Sequence, residues 1–169
     1  MSENNKHYLY PSTIKIAAAD TEIHTILGSC VAVCLYDERQ KKGGMNHFML
    51  PFWNGKGLAS PKYGNIAIER LLARMFDTGS KRRDLIAKVF GGGDVLGLTT
   101  RDDHVGLRNA ELAVRILQDE GIKLAAQSTG GEKGRKIIFY TQTGKVQQRY
   151  INRLKMYNMP VPEARQYLK

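Results

Sequence analysis

Ile26-Leu27-Gly28-Ser29-Cys30-Val31-Ala32-Val33-Cys34-Leu35-Tyr36 is the stretch whose reading decides the fold. From Val31 to Tyr36 it is apolar without interruption and rich in β-branched residues. A strand covered on both faces has that pattern, because neither set of alternating side chains meets water. Gly28-Ser29 breaks the run just before Cys30, which places the cysteine at the mouth of the strand. Asp37 to Lys42 is a charged turn, and Gly44 to Leu50 reads as the partner strand of a hairpin, ended by Pro51.

Further elements follow on either side. Ile14 to Ala18 alternates as a strand should, and Thr25-Ile26-Leu27 is a short apolar approach to the Gly28-Ser29 break. Phe52 to Tyr63 is rich in Gly, Pro and Asn and reads as a loop. Ile66, Leu71, Leu72, Met75 and Phe76 recur at helical spacing, with Glu69, Arg70 and Arg74 opposite. After the polar break at 81–84, Leu85 to Phe90 is a strand that runs into Gly91-Gly92-Gly93. Asn109 to Glu120 carries the clearest helical stripe, Leu112, Ala113, Ile116 and Leu117, and Gly121 stops it. Leu124 to Gln127 is a short strand. Lys136 to Thr141 and Lys145 to Tyr150 flank Gln142-Thr143-Gly144 as a hairpin. The order of elements predicts one α/β domain, an α/β sandwich of mostly antiparallel mixed sheets with two main helices, over residues 1–150. Residues 151–169, marked by Pro160 and Pro162, read as a basic C-terminal tail.

With 169 residues, 42% of them hydrophobic, the chain can bury a core without metal or disulfide help. Cys30 and Cys34 are its only cysteines. Four strand steps separate them by about 13 Å, and a disulfide tolerates a Cα separation of only about 4.4–6.8 Å. Free thiols suit a reducing compartment. The polar start (Ser2 to Lys6) lacks a signal-peptide core and no apolar run is long enough to span a membrane, so the expectation is cytoplasmic. The formal charge is +10, and Lys133 to Lys169 holds nine basic residues against one acid, Glu163. A basic, aromatic tail can meet an acidic protein face or an anionic lipid surface; no nucleic-acid motif accompanies it.

Cys30 and His47 carry the chemistry. His47 is a polar residue inside the apolar segment Met45-Asn46-His47-Phe48-Met49-Leu50-Pro51. If the turn closes the hairpin, His47 lies near Cys30. An imidazole beside a thiol can take its proton and create a nucleophile at neutral pH. Thr25 is near enough in sequence to orient that imidazole. Taken singly, each of these residues also reads as an ordinary core or strand residue. A zinc site from Cys30, Cys34, His24 and His47 is disfavoured by spacing, because there is no C-x-x-C and no histidine pair at i, i+4. Gly91-Gly92-Gly93 follows a strand but lacks the residues of a phosphate loop. No cofactor is implied.

Ile26 to Val33, then Gly43-Gly44-Met45-Asn46-His47-Phe48-Met49-Leu50-Pro51, resembles the CheD family of chemoreceptor glutamine deamidases. The resemblance continues through Phe90 to Gly93, Gly106-Leu107-Arg108-Asn109 and Thr129-Gly130-Gly131, and covers roughly residues 14–150. It implies a Cys-His-Thr site on an α/β sandwich, with Cys30 as nucleophile and His47 as base. The family's threonine lies just upstream of the cysteine; Thr25 is the nearest candidate, with His24 at the neighbouring position. The resemblance implies glutamine side chains on methyl-accepting chemotaxis receptors as substrate, converted to glutamate through a thioester. Some members also act on glutamate methyl esters, and in some organisms members pair with a CheC-type phosphatase. Two other readings compete with the enzyme: a non-catalytic adaptor that binds receptors or a phosphatase, and a thiol redox protein using Cys30.

Overall fold

The computed structural model describes residues 5–97 and 104–152. Nine strands and two helices run in the order β1 (Asn5–Tyr8), β2 (Thr13–Ala17), β3 (Thr21–Leu27), β4 (Val31–Asp37), β5 (Lys42–His47), α1 (Gly64–Asp77), β6 (Leu85–Gly91), α2 (Val105–Asp119), β7 (Lys123–Thr129), β8 (Gly134–Tyr140) and β9 (Val146–Ile151). They form two mixed sheets, ordered β1-β3-β8-β9 and β2-β5-β4-β6-β7. The chain is a three-layer α/β sandwich in which the five-stranded sheet lies between the helices and the four-stranded sheet. Of the tail read from the sequence, only Ile151 and Asn152 fall among the described residues.

β4 is the centre of the middle layer, and all seven of its residues are buried. Its two faces serve two cores. Val31, Val33 and Leu35 pack with Ile68, Leu71, Met75, Ala113 and Leu117 of the helices. Cys30, Ala32, Cys34 and Tyr36 pack with Ile23, Leu27, Ile137 and Phe139 of the other sheet. Each fully buried aliphatic side chain of this kind stabilises the fold by about 1.5–3 kcal/mol. Gly43 and Gly44 let both outer layers come close to β5. A methyl on Gly43 would stand 2.7 Å from Phe139 Cζ, and one on Gly44 would stand 3.0 Å from Leu71 Cδ1.

Several boundaries differ from the sequence expectation. β1 falls in the polar start of the chain, where no apolar pattern marks it. It is an edge strand that pairs in parallel with β3, from Asn5 opposite Thr21 to Tyr8 opposite His24. β3 begins at Thr21, four residues before the apolar approach at Thr25, because it is held between β1 and β8. α2 starts at Val105 and not at Asn109, since His104 caps it by accepting the Leu107 N–H at 2.9 Å. β6 and β7 are parallel, and α2 is the crossover between them.

Candidate functional site

The turn that enters β4 is fixed through three successive carbonyls. Gly93 N–H donates to Gly28 O at 2.9 Å, and Gly92 N–H donates to Cys30 O at 2.9 Å. Between them, Asn109 Nδ2 donates to Ser29 O at 3.0 Å. Ser29 is exposed and Cys30 keeps 5% of its surface in solvent. The glycine run at the end of β6 therefore braces the cysteine. Gly91 sits at φ 110°, and a methyl there would stand 2.2 Å from the Cys30 carbonyl oxygen. Gly92 and Gly106 meet face to face, each leaving no room for a Cβ against the other's carbonyl (2.5 and 2.6 Å). That contact seats the first turn of α2 directly behind the site.

Pairing of β4 with β5 puts Cys34 opposite Met45 and Val31 opposite Phe48. This register sets Ala32 across from His47, so Cys30 and His47 are diagonal neighbours on one face. Diagonal positions lie roughly 7–8 Å apart, within reach of a ring-bearing side chain. Both face the gap between the two sheets. Inside that ladder, Val33 N–H donates not to a backbone carbonyl but to Asn46 Oδ1, at 2.8 Å. The asparagine side chain thus loosens the ladder just beside His47.

The third residue arrives from the other sheet. Thr25 Oγ1 on β3 lies 2.8 Å from His47 Nδ1 and 2.8 Å from the Leu9 carbonyl oxygen. The hydroxyl has one proton, and a carbonyl can only accept. Both contacts are satisfied only if the hydroxyl donates to Leu9 O and accepts from Nδ1–H. The imidazole is then the Nδ1–H tautomer, and its lone pair is on Nε2. His24 lies one residue away on the opposite face of β3, where its Nε2 meets Glu22 Oε2 at 3.0 Å and its ring packs on Tyr8 at 5.3 Å. The structure brings Thr25, His47 and Cys30 to one gap and leaves His24 outside it.

Burial sets the charge state. It pushes the Cys30 thiol up to about 12, opposed weakly by the residue's own backbone N–H, and it pulls the His47 imidazole down to about 3. At neutral pH the pair is a thiol and a neutral imidazole, with no ion pair at rest. Cys34, deeper on the same face, is raised by burial as well. Among the described residues no three His, Cys, Asp or Glu side chains gather as a metal site.

These shifts predict how stability depends on pH. Above 6.5, the ordinary histidine value, His47 is neutral in both the folded and the unfolded chain. Below it the unfolded chain takes up a proton that the folded chain refuses until about pH 3. Stability therefore falls as pH drops from 6.5 towards 3. Cys30 acts at the other end: from 9 to about 12 only the unfolded chain loses the thiol proton, so stability falls as pH rises. Chemical denaturation across pH should show both limbs. His47→Gln should flatten the acid one, and an unchanged acid limb would refute the assignment.

Two side chains that sequence reading did not assign also shape the site. Asn109, wholly buried on α2, reaches Ser29 O and Met49 O. Arg135 on β8, 3% exposed, donates to Gly130 O at 2.8 Å and to Ser128 Oγ at 3.2 Å, and stacks under Tyr150 at 5.3 Å. It ties the β7–β8 turn to the glycine run, because Gly130 N–H in turn donates to Gly91 O. The available signal for Asn109 was its place as a polar residue beside the apolar stripe of α2.

Comparison with known proteins gives a consistent result. A family model described as CheD chemotactic sensory transduction matches residues 49–150. That range contains Asn109 and the glycine run but not Thr25, Cys30 or His47. A protein of Trichlorobacter lovleyi named "Probable chemoreceptor glutamine deamidase CheD" is 51% identical over 141 residues, which is 83% of this chain and 88% of that one. Proteins of the same name from Sulfurimonas denitrificans and Rhodospirillum rubrum are 44% and 48% identical. The first alignment covers 89% of this chain and 97% of the relative, the second 86% and 82%.

Proposed function

Because the chain belongs to the CheD family, we propose that it is a protein-glutamine deamidase acting on chemoreceptors, with Cys30 as nucleophile, His47 as base and Thr25 as the group that orients His47. The observation that carries this reading is the hydrogen-bond chain from His47 Nδ1–H through Thr25 Oγ1 to Leu9 O, which leaves Nε2 free of a proton on the face shared with Cys30.

The reaction follows from those positions. Nε2 takes the thiol proton as Sγ attacks the carboxamide carbon, so charge leaves the sulfur for the carbonyl oxygen in the same event. A resting thiolate is not needed. The oxyanion needs N–H donors, and the N–H of Cys30, which faces its own sulfur, is the nearest candidate. Nε2–H then protonates the departing nitrogen, ammonia leaves, and a thioester remains. Water attacks it with Nε2 as base, giving a carboxylate and restoring the thiol.

Tyr10, Phe52, Leu96 and Leu107 are exposed apolar residues on the segments that carry Leu9, Met49, Gly93 and Asn109, and exposed apolar side chains of that kind suit contact with a protein substrate. No described helix is long and apolar enough to cross a membrane. In this reading the protein works in the cytoplasm, where the receptor helices are. A CheC-type phosphatase, with which some members of the family pair, is a further candidate partner. The positive charge from Arg149 to Lys169 favours an acidic receptor bundle or anionic lipid; receptor binding by a chain ending at Asn152 should be weaker and less salt-dependent. The enzymatic reading itself is tested by incubating the chain with a receptor cytoplasmic fragment and mapping glutamine-to-glutamate conversion by peptide mass spectrometry.

A further inference from the structure

We infer that Asn109 is a positioning residue for the nucleophile, holding β4 and β5 at the separation that lets His47 serve Cys30. This rests on the function proposed above. The β4–β5 ladder closes at the pair Val31 and Phe48, whose N–H groups donate to each other's carbonyls at 3.1 and 2.9 Å. The next opposed pair is Cys30 and Met49. No ladder bond joins them, and the two carbonyls that flank the opening, those of Ser29 and Met49, need donors.

Asn109 supplies both. Its Nδ2 lies 3.0 Å from each oxygen, and the residue is wholly buried. The amide orientation is unambiguous, because a flipped side chain would set Oδ1 against two carbonyl oxygens. Oδ1 itself has no partner among the described residues, so the side chain is kept for its two donors. The depth of α2 is set by the contact of Gly106 with Gly92, whose N–H holds Cys30 O. One carboxamide therefore clasps the cysteine turn to the strand that carries His47, and it does so from the helix side, away from the sulfur.

The test uses the full chain, Asn109→Ala and Asn109→Ser, with a receptor cytoplasmic fragment as substrate. Asn109→Ala should lower kcat about a hundredfold, the cost of a small misplacement of reacting groups, with KM within about twofold. Asn109→Ser retains one donor and should fall between. In the Asn109→Ala background, His47→Ala should cost about a hundredfold less than in the parent chain, since the pair is already partly uncoupled. If Asn109→Ala does not fold, Asn109→Ser and substrate-free alkylation of Cys30 by iodoacetamide decide: the alkylation rate should fall towards that of His47→Ala. Full kcat, additive effects with His47→Ala, or parent-like alkylation in folded Asn109 variants overturns the inference. Deamidation that survives Cys30→Ala instead overturns the proposed function, an outcome distinct from survival in the Asn109 variants alone.

Discussion

Cys30→Ala should reduce deamidation of a receptor fragment to background, a loss of at least about 10⁴-fold, as expected when a member of a nucleophile–base unit is removed. The fold should survive, because Cys30 is a small residue at the edge of the inter-sheet core. Cys30→Ser should be nearly as inactive: a serine hydroxyl is a far weaker acid than a thiol, and the buried, neutral His47 is a weak base. The two variants separate the enzyme from the adaptor. An adaptor would tolerate both, and unchanged glutamate formation in either would remove the mechanism. They also bear on the redox reading, since Cys34 is buried four residues along the same strand with its thiol held neutral.

The second large effect is expected at His47. His47→Ala removes the acceptor of the thiol proton and the donor to the leaving nitrogen, and should lower kcat by about 10⁴-fold. Thr25→Val should cost less, about 10–100-fold, because it removes only the group that holds the tautomer. It leaves Nδ1–H and the Leu9 carbonyl without their shared partner, so kcat should suffer more than KM. In the parent enzyme kcat/KM should be flat through pH 6.5, since His47 titrates only near 3. An acid limb near 6.5 with its midpoint abolished in His47→Gln would show the imidazole to be charged more easily than its burial implies.

Part of this site was legible in the chain itself. The uninterrupted, β-branched apolar run from Val31 to Tyr36 reads as a strand covered twice, and the charged turn at Asp37 to Lys42 makes Gly44 to Leu50 its expected neighbour. Those two facts bring Cys30 and His47 to adjacent strands; that they share one face follows from the even offset of the register, which only the structure supplies. Thr25 was legible only as a nearby polar residue. Its partner His47 is on another sheet, and no local pattern records which sheets will stack. β1 was not legible at all, because a short polar edge strand is formed by its partner's open edge and not by its own periodicity.

Local chemistry along the chain thus determined most of the elements, the hairpin and the candidate pair Cys30 and His47, since alternation, turn residues and the placement of a cysteine beside a glycine break act over a few residues. Tertiary structure alone set Thr25 Oγ1 between His47 Nδ1 and the carbonyl of Leu9, and turned His24 to the opposite face of β3. It also turned the glycine run and Asn109 into braces for the cysteine. Hydrogen bonds between segments as far apart in sequence as Ser29 and Asn109 depend on packing depth, and packing depth is a property of the assembled layers.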